Sequence, residues 1–322
     1  MTSTAAASDP IRVEVTRSGH VESVHTVSAA VVDAAGQVVA SWGEVGAPVY
    51  GRSSNKPAQA VAMLEVGLVA EGELLALAGA SHSGEPFHVA GTRRVLAAAG
   101  LGEEDLQCPP DLPGHDPSRT AVLRAGGGPE RVYMNCSGKH ASMLAACVAA
   151  GWSTADYRDP AHPYQRHVAD TLTRLSGERP AWTGVDGCGA PAHAMSLRGL
   201  ARIGAALTTA EAGRPERALA DAYRAHPAWM SGTGRDDETW MVAWPGLVAK
   251  GGAEGVQLLG LPDGRGLALK VADGNARAAA PAAVAVLRSL GTDAATLAAL
   301  SALAERPTLG GGLPVGAVVA AA

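Results

Sequence analysis

Alternation opens the chain. Ile11, Val13 and Val15 fall on one side of a strand, and Ala29 to Val32 and Val38 to Trp42 flank the turn residues Asp33-Ala34-Ala35-Gly36. These spacings predict a hairpin-rich beginning. After Ser53 the period lengthens: Ala60, Met63, Leu64 and Val69 share a helical side, and helical spacing persists through Ala225. Loops rich in Gly and Pro interrupt it at 107–118, 126–130 and 184–191. Strand character returns at Leu247 to Lys250, Val256 to Leu259 and Leu267 to Val271, the last two separated by Pro262-Asp263-Gly264-Arg265-Gly266. A final helix is predicted over roughly 275–290.

Strands at both ends around a helical middle predict an α+β fold. One antiparallel sheet is formed by both chain ends, residues 1–50 plus 241–322 with a C-terminal helix. Residues 51–240 form an inserted, mainly helical region, and the expected active-site cleft lies between the two.

Composition narrows the function. The 322 residues are 47% hydrophobic and 18% charged, which suits a globular chain of one or two domains. A net charge of −5 and 4% aromatic residues argue against a nucleic-acid surface. The alanine-rich tracts near 141–150 and 276–290 are too short for a bilayer, and Met1 to Pro10 has no cationic stretch before an apolar run. A cytoplasmic protein without membrane contact is expected. Four cysteines are too few for a disulfide framework, so free thiols or metal ligation are expected. Cys108 and Cys147 read as structural.

The chemistry lies in short segments. In Ser53-Ser54-Asn55-Lys56 the spacing of three puts Lys56 on the side of Ser53 at a helix start. A lysine can take the serine proton if burial or a second cation brings its pKa towards neutrality, and Lys250 of Lys250-Gly251-Gly252 supplies such a cation. Backbone N–H groups at the helix start suit an oxyanion. Pro57 predicts an irregular first turn. Alone, such a pair is more often a capping serine beside a solvated lysine. With Ser81-His82-Ser83-Gly84-Glu85 between them, however, the order becomes that of the Ser-x-x-Lys, Ser-Asp-Asn and Lys-Thr-Gly elements of penicillin-recognising enzymes.

Two cysteines stand in glycine-rich turns, Asn135-Cys136-Ser137-Gly138-Lys139-His140 and Asp186-Gly187-Cys188-Gly189. The glycines let backbone approach a ligand closely, and Asp186 and His140 add polar groups that an apolar core excludes. A metal or substrate site is expected here. Cys136 reaches Lys139 or His140 at spacings of three and four, and general ligand chemistry favours the imidazole.

The strings Gly51-Arg52-Ser53-Ser54-Asn55-Lys56-Pro57, Ala80-Ser81-His82-Ser83-Gly84-Glu85-Pro86, Asn135 to His140 and Asp186-Gly187-Cys188-Gly189-Ala190-Pro191 together resemble the Rhizobium etli-type L-asparaginases. The resemblance runs from about residue 11 to the last strand and helix. It implies a serine β-lactamase and glutaminase-like fold, a homodimer, and hydrolysis of L-asparagine to L-aspartate and ammonia. It implies two Ser–Lys tandems, carried here by Ser53 with Lys56 and Ser81 with Lys250. Ser53 is the expected nucleophile, although either serine of the set is open to that role. It also implies zinc held by Cys136, Lys139 and Cys188 with water, where ligand chemistry alone points to His140. A bound asparagine needs partners for its charges. Arg52 is the nearest cation for the carboxylate and Asp186 an acceptor for the ammonium, with His140, Glu85 and His82 close by. Competing readings are a glutaminase, a hydrolase of β-lactam or peptide amides, and a non-catalytic zinc- or amino-acid-binding protein.

Overall fold

A computed structural model describes residues 8–321. Residues 1–7, most of the start read above as leader-free, lie outside the described residues. The strands are, in chain order, β1 (Ile11–Arg17), β2 (His20–Val32), β3 (Val38–Trp42), β4 (Val49–Tyr50), β5 (Trp182–Val185), β6 (Pro191–Met195), β7 (Val248–Gly252), β8 (Val256–Gly260), β9 (Gly266–Val271), β10 (Glu305–Gly310) and β11 (Leu313–Ala320). The helices used below are α1 (Lys56–Glu65), α2 (Gly72–Ala78), α3 (Pro86–Ala98), α4 (Asp116–Arg124), α5 (Ser137–Ala149), α6 (Pro163–Ser176), α7 (Leu197–Thr209), α8 (Pro215–Ala225), α9 (Pro227–Met230), α10 (Asp236–Ala243) and α11 (Ala279–Ser289).

The chain forms two compact units. A sheet unit takes the residues up to Ser54, Ala194–Thr209 and those from Thr239 onward; a helical unit takes Asn55–His193 and Ala210–Glu238. Among the described residues the sheet unit holds an eight-stranded sheet in the order β10-β11-β1-β2-β9-β8-β7, with β3 also paired to β2. Its pairings are antiparallel. Both chain ends build it, as an α+β fold with its helices inserted requires.

Both faces of its centre are covered: every residue of β8 is buried, and successive side chains point to opposite faces. Helix α7 packs on β8, β9 and β2. Glycine makes that approach possible, since a Cβ on Gly204 would lie 2.5 Å from the Leu259 carbonyl oxygen. At the other end, β10 is an edge strand with alternating exposure, and Pro307 stands inside it. Proline has no backbone N–H and is tolerated at such an edge.

Two features of the sheet exceed the alternation in the sequence. Strand β2 begins at His20, nine residues before Ala29, because Ser18 and Gly19 with φ of 49° and 83° turn the chain back at once from β1. The hairpin of β10 and β11 follows α11 and was not predicted; its prolines and the glycines at 310–312 argue against strands when read alone.

In the helical unit, α1 packs against α6 and α8, α2 against α8, and α3 against α5. Every residue of α1 from Lys56 to Met63 is buried. Ala58, Ala60, Val61, Ala62 and Met63 leave it apolar around most of its circumference, which is the signature of a central helix. Lys56, its first residue, is thereby carried into the interior.

Candidate active site

The helical unit assembles one group of sequence-predicted residues around Lys56. Residues Arg52–Asn55 form a 3-10 turn that runs directly into α1, and Pro57 sits in the first turn of that helix. Proline is acceptable there because its missing N–H would have no helical partner. The Lys56 side chain is 1% exposed. Its Nζ donates to the Ala80 carbonyl at 2.6 Å and to Ser81 Oγ at 2.8 Å, and lies 2.9 Å from Cys136 Sγ. Lys56 therefore joins the second serine to the first cysteine.

Ser81 is held by its backbone. Its N–H donates to Met230 O at 3.0 Å, and its carbonyl accepts from Arg235 at 2.8 Å. The next residue is fixed as well, with His82 N–H donating to Asn135 O. His82 and His88 stack with ring centroids 4.9 Å apart. Burial, reinforced by His88 and Lys56, drives His82 well below the ordinary 6.5. Burial also brings His88 to about 4. Both are neutral at pH 7. His82 Nδ1 accepts from Gly84 N–H at 3.1 Å, and Nε2 lies 2.9 Å from Ser137 Oγ, which donates to Val132 O.

Glu85 caps α3 rather than touching Ser81. It accepts from Ser83 Oγ at 2.6 Å and from Thr233 N–H at 2.9 Å. Burial raises its pKa, but these hydrogen bonds outweigh burial and hold the carboxyl below its ordinary value.

Cys136 caps α5, and Lys139 and His140 follow in its first turn, all buried. Cys188 is presented by the turn Asp186–Gly189, closed by Gly189 N–H to Asp186 O at 2.8 Å and by Gly187 N–H to Asp186 Oδ1 at 2.8 Å. Lys139 Nζ reaches Cys188 Sγ at 3.3 Å. A hydrogen bond from the Cys136 thiol holds Cys188 far below the ordinary thiol range; burial opposes this and the Lys139 charge assists it. Burial lowers Lys139, but the Cys188 and Cys136 sulfurs outweigh it and raise the ammonium's pKa. Within the cluster Cys188 is thus shifted towards its thiolate and Lys139 towards its ammonium, while Cys136 is shifted towards its thiol.

His140 stands at its side. Burial lowers it to about 4, and Nδ1 is 2.7 Å from the Tyr157 hydroxyl. That hydroxyl accepts from Gln107 N–H, so its own proton goes to Nδ1 and the imidazole proton is assigned to Nε2. Nε2 makes no hydrogen bond of acceptable geometry, although Cys188 is near enough to oppose the fall in pKa. Two sulfurs, of the kind zinc takes as ligands, gather here with the Lys139 nitrogen, which would fit the metal only after losing its proton. Among the described residues no three His, Cys, Asp or Glu side chains converge as a metal group. Cys108 lies near enough to Cys188 and Lys139 to feel their charges, and it and Cys147 are buried thiols pushed up to about 11 mainly by burial.

The sheet unit fixes the other pair through backbone. Arg52, before Ser53, has φ of 50°, a left-handed conformation unusual for a residue with a side chain. Ser54 N–H donates to Gly51 O at 3.0 Å, and the fully buried Ser54 Oγ donates to Lys250 O at 2.9 Å. A Cβ on Gly252 would lie 2.7 Å from Gly51 O, so only glycine lets β7 run this close to the turn. The Ser53 turn and Lys250, distant in sequence, are thus tied together. Lys250 is 1% exposed, and its Nζ donates to Gly251 O at 2.8 Å.

Sequence reasoning missed Ser54 and Arg235. Ser54, two residues before Lys56, falls outside the spacing of three that marks Ser53. The available signal for Arg235 was the segment Ser231-Gly232-Thr233-Gly234-Arg235, whose two glycines announce a tight loop ending on a cation.

The profile of the family described as L-asparaginase II matches residues 13–320. No curated protein matches the chain. Among solved structures it is similar to Mglu in its glutamate form, at 12% identity over 82% of this chain and 60% of that one, with a TM-score of 0.46. It is also similar to a putative β-lactamase from Bacteroides dorei DSM 17855, at 14% identity over 81% and 93%, TM-score 0.42. A third is simvastatin synthase from Aspergillus terreus, as its LovD6 mutant, at 13% identity over 76% and 86%, TM-score 0.36. The chain spans about three fifths of the length of the first of these. Among the described residues no helix is long and apolar enough to cross a membrane.

Proposed function

Because the chain belongs to the L-asparaginase II family, we propose that it hydrolyses L-asparagine to L-aspartate and ammonia by a serine–lysine mechanism. The observation that supports a serine–lysine mechanism most directly is the 2.8 Å bond between the buried Lys56 Nζ and the half-buried Ser81 Oγ. The catalytic set is Ser53, Lys56, Ser81 and Lys250. Ser53 attacks the side-chain amide carbon, its proton passing to the Lys56 amine. The C–N bond then breaks and ammonia leaves with that proton. Water attacks the resulting ester, releases aspartate and returns the proton to serine. Ser81 acts as a proton carrier beside Lys56.

The same bond favours a second reading, in which Ser81 itself attacks. Trapping the acyl-enzyme under single-turnover conditions distinguishes them, with the ester on Ser53 in the first case and on Ser81 in the second. Ammonia release from asparagine, glutamine and a chromogenic β-lactam fixes the substrate; turnover of glutamine or the β-lactam in preference to asparagine would reject asparagine as substrate. The proposal includes a cytoplasmic homodimer, the assembly being read by sedimentation.

Asp186 is proposed for the substrate ammonium, and Arg52 on the Ser53 turn is one cation open to its carboxylate. Zinc is proposed on Cys136, Lys139 and Cys188, where it would supply positive charge to orient or polarise the substrate. Lys139 must lose its proton to bind it. Elemental analysis is the check: Cys188→Ser and Lys139→Met lose stoichiometric zinc, whereas His140→Ala keeps it. Zinc lost with His140 and retained without Lys139 reverses the assignment.

A further inference from the structure

We propose that Arg235 is the residue that receives the substrate's α-carboxylate. This rests on the amidohydrolase reading above and deepens it by naming what selects an amino-acid amide over other amides.

Two cations of the helical unit bracket Ser81. Lys56 is bound to its hydroxyl at 2.8 Å and Arg235 NH1 to its carbonyl oxygen at 2.8 Å. They differ in setting: Lys56 is buried, whereas Arg235 is exposed. A buried amine suits proton transfer, and an exposed guanidinium beside the same serine suits an arriving anion.

Arg235 is not a loosely held surface arginine. Its NH1 also lies 3.4 Å from Ser231 O, and its own N–H closes a turn onto Gly232 O at 3.2 Å. The turn is fixed to the Ser81 segment at three points. Met230 O accepts from Ser81 N–H, and Thr233 N–H donates to Glu85 Oε2. Gly232, with φ of 134°, lies so close to Ser83 that a Cβ would come within 2.2 Å of Ser83 Oγ. A guanidinium held in place before the ligand arrives loses little freedom on binding, and its planar fork matches a carboxylate with two parallel hydrogen bonds. Its field already reaches beneath Ser81, where Arg235 is among the charges that keep His82 neutral.

Arg235 NH1 is anchored on the carbonyl of the same residue whose hydroxyl Lys56 holds, so a cation stands beside the proposed proton carrier. Arg52, the alternative, precedes Ser53 on a turn in the left-handed conformation.

The test uses the intact enzyme, with 3-aminopropanamide as competitor. This compound keeps the amide and the amine of asparagine but lacks the α-carboxylate. KM and kcat for L-asparagine and the inhibition constant of 3-aminopropanamide are measured for wild type, Arg235→Gln, Arg235→Lys and Arg52→Gln. In Arg235→Gln, KM for asparagine rises about 30- to 100-fold, the loss of a charge-assisted pair, while the inhibition constant of the competitor moves less than about twofold. Arg235→Lys restores part of the KM, and Arg52→Gln shows no such selectivity. Equal losses for both compounds would make Arg235 only a latch for Ser81 and overturn the inference. So would selective loss in Arg52→Gln, or a wild type that binds the competitor as well as asparagine. A wild type inactive on asparagine would instead overturn the amidohydrolase reading, and this assignment with it.

Discussion

The helical unit and the sheet unit each secure one serine of the proposed set, and they do so by different means. Around Ser81 the fixing atoms include charged side chains, Lys56 on the hydroxyl and Arg235 on the carbonyl, and the stacked imidazoles of His82 and His88 follow in the chain. Around Ser53 they belong to backbone and to groups that do not titrate: the φ of 50° at Arg52, the Ser54 hydroxyl on the Lys250 carbonyl, and the bare face of Gly252. The first arrangement responds to pH and to changes of charge. The second responds to steric change.

The largest effect is expected where the side-chain arrangement is cut at its centre. Lys56→Met should lower kcat/KM by at least about 1000-fold, because a base and the serine it activates act as one unit. Adding Ser53→Ala should then cost little more. Steady-state kinetics check this, and a fully additive double variant would separate the two residues.

Next comes pH, which should move the side-chain arrangement. His88 stays neutral in the fold down to about 4, against an ordinary value of 6.5. The unfolded chain therefore takes up a proton below 6.5 that the folded chain refuses. The stability associated with His88 is fully present above 6.5 and is lost as pH falls towards 4, to the extent of roughly 3 kcal/mol. Urea titrations at pH 7, 5.5 and 4.5 should show the decline, and His88→Gln should flatten it. An unchanged slope in that variant would remove His88 as the cause.

A smaller effect should follow from crowding the backbone arrangement. Gly252→Ala places a methyl group 2.7 Å from Gly51 O, and we expect about 2 kcal/mol of lost stability and roughly 30-fold lower kcat. The shape of the pH–rate profile should not change. A shifted basic limb would show that the turn influences titration after all.

Smallest is Ser54→Ala, which removes one buried hydrogen bond from the Lys250 carbonyl. A loss of about 1 to 2 kcal/mol is expected in thermal or chemical denaturation. Wild-type stability would mean that the turn is held by the approach of Gly252 alone.

Legibility in the sequence followed whether an interaction has a side-chain signature. The pairing of β8 with β9 was visible in alternating Val and Leu around the Asp263-Gly264 turn, and the observed strands fall within a residue of the expected ones. Helix α7 was read only as part of a helical middle; that it packs on the sheet depends on Gly204, whose role is the absence of a side chain. In the site, Lys56, Ser81, Cys136, Lys139 and Cys188 were singled out from motifs, and the structure links them through a continuous set of contacts. Ser54 and Arg235 were not, because each bonds a backbone carbonyl, and no pattern of residue types marks which carbonyl a distant hydroxyl or guanidinium will find. The lowered pKa values of His82 and His88 were equally invisible, since burial is a property of the packed chain.

Strand β10 ends the large sheet, and an unfinished edge is a template on which another polypeptide can polymerise. Pro307 interrupts the row of amide donors that such a template must offer. Growth of the sheet from one molecule into the next would have to skip a rung at that point. A proline at that rung makes the last strand a poorer template for another chain than an uninterrupted edge would be.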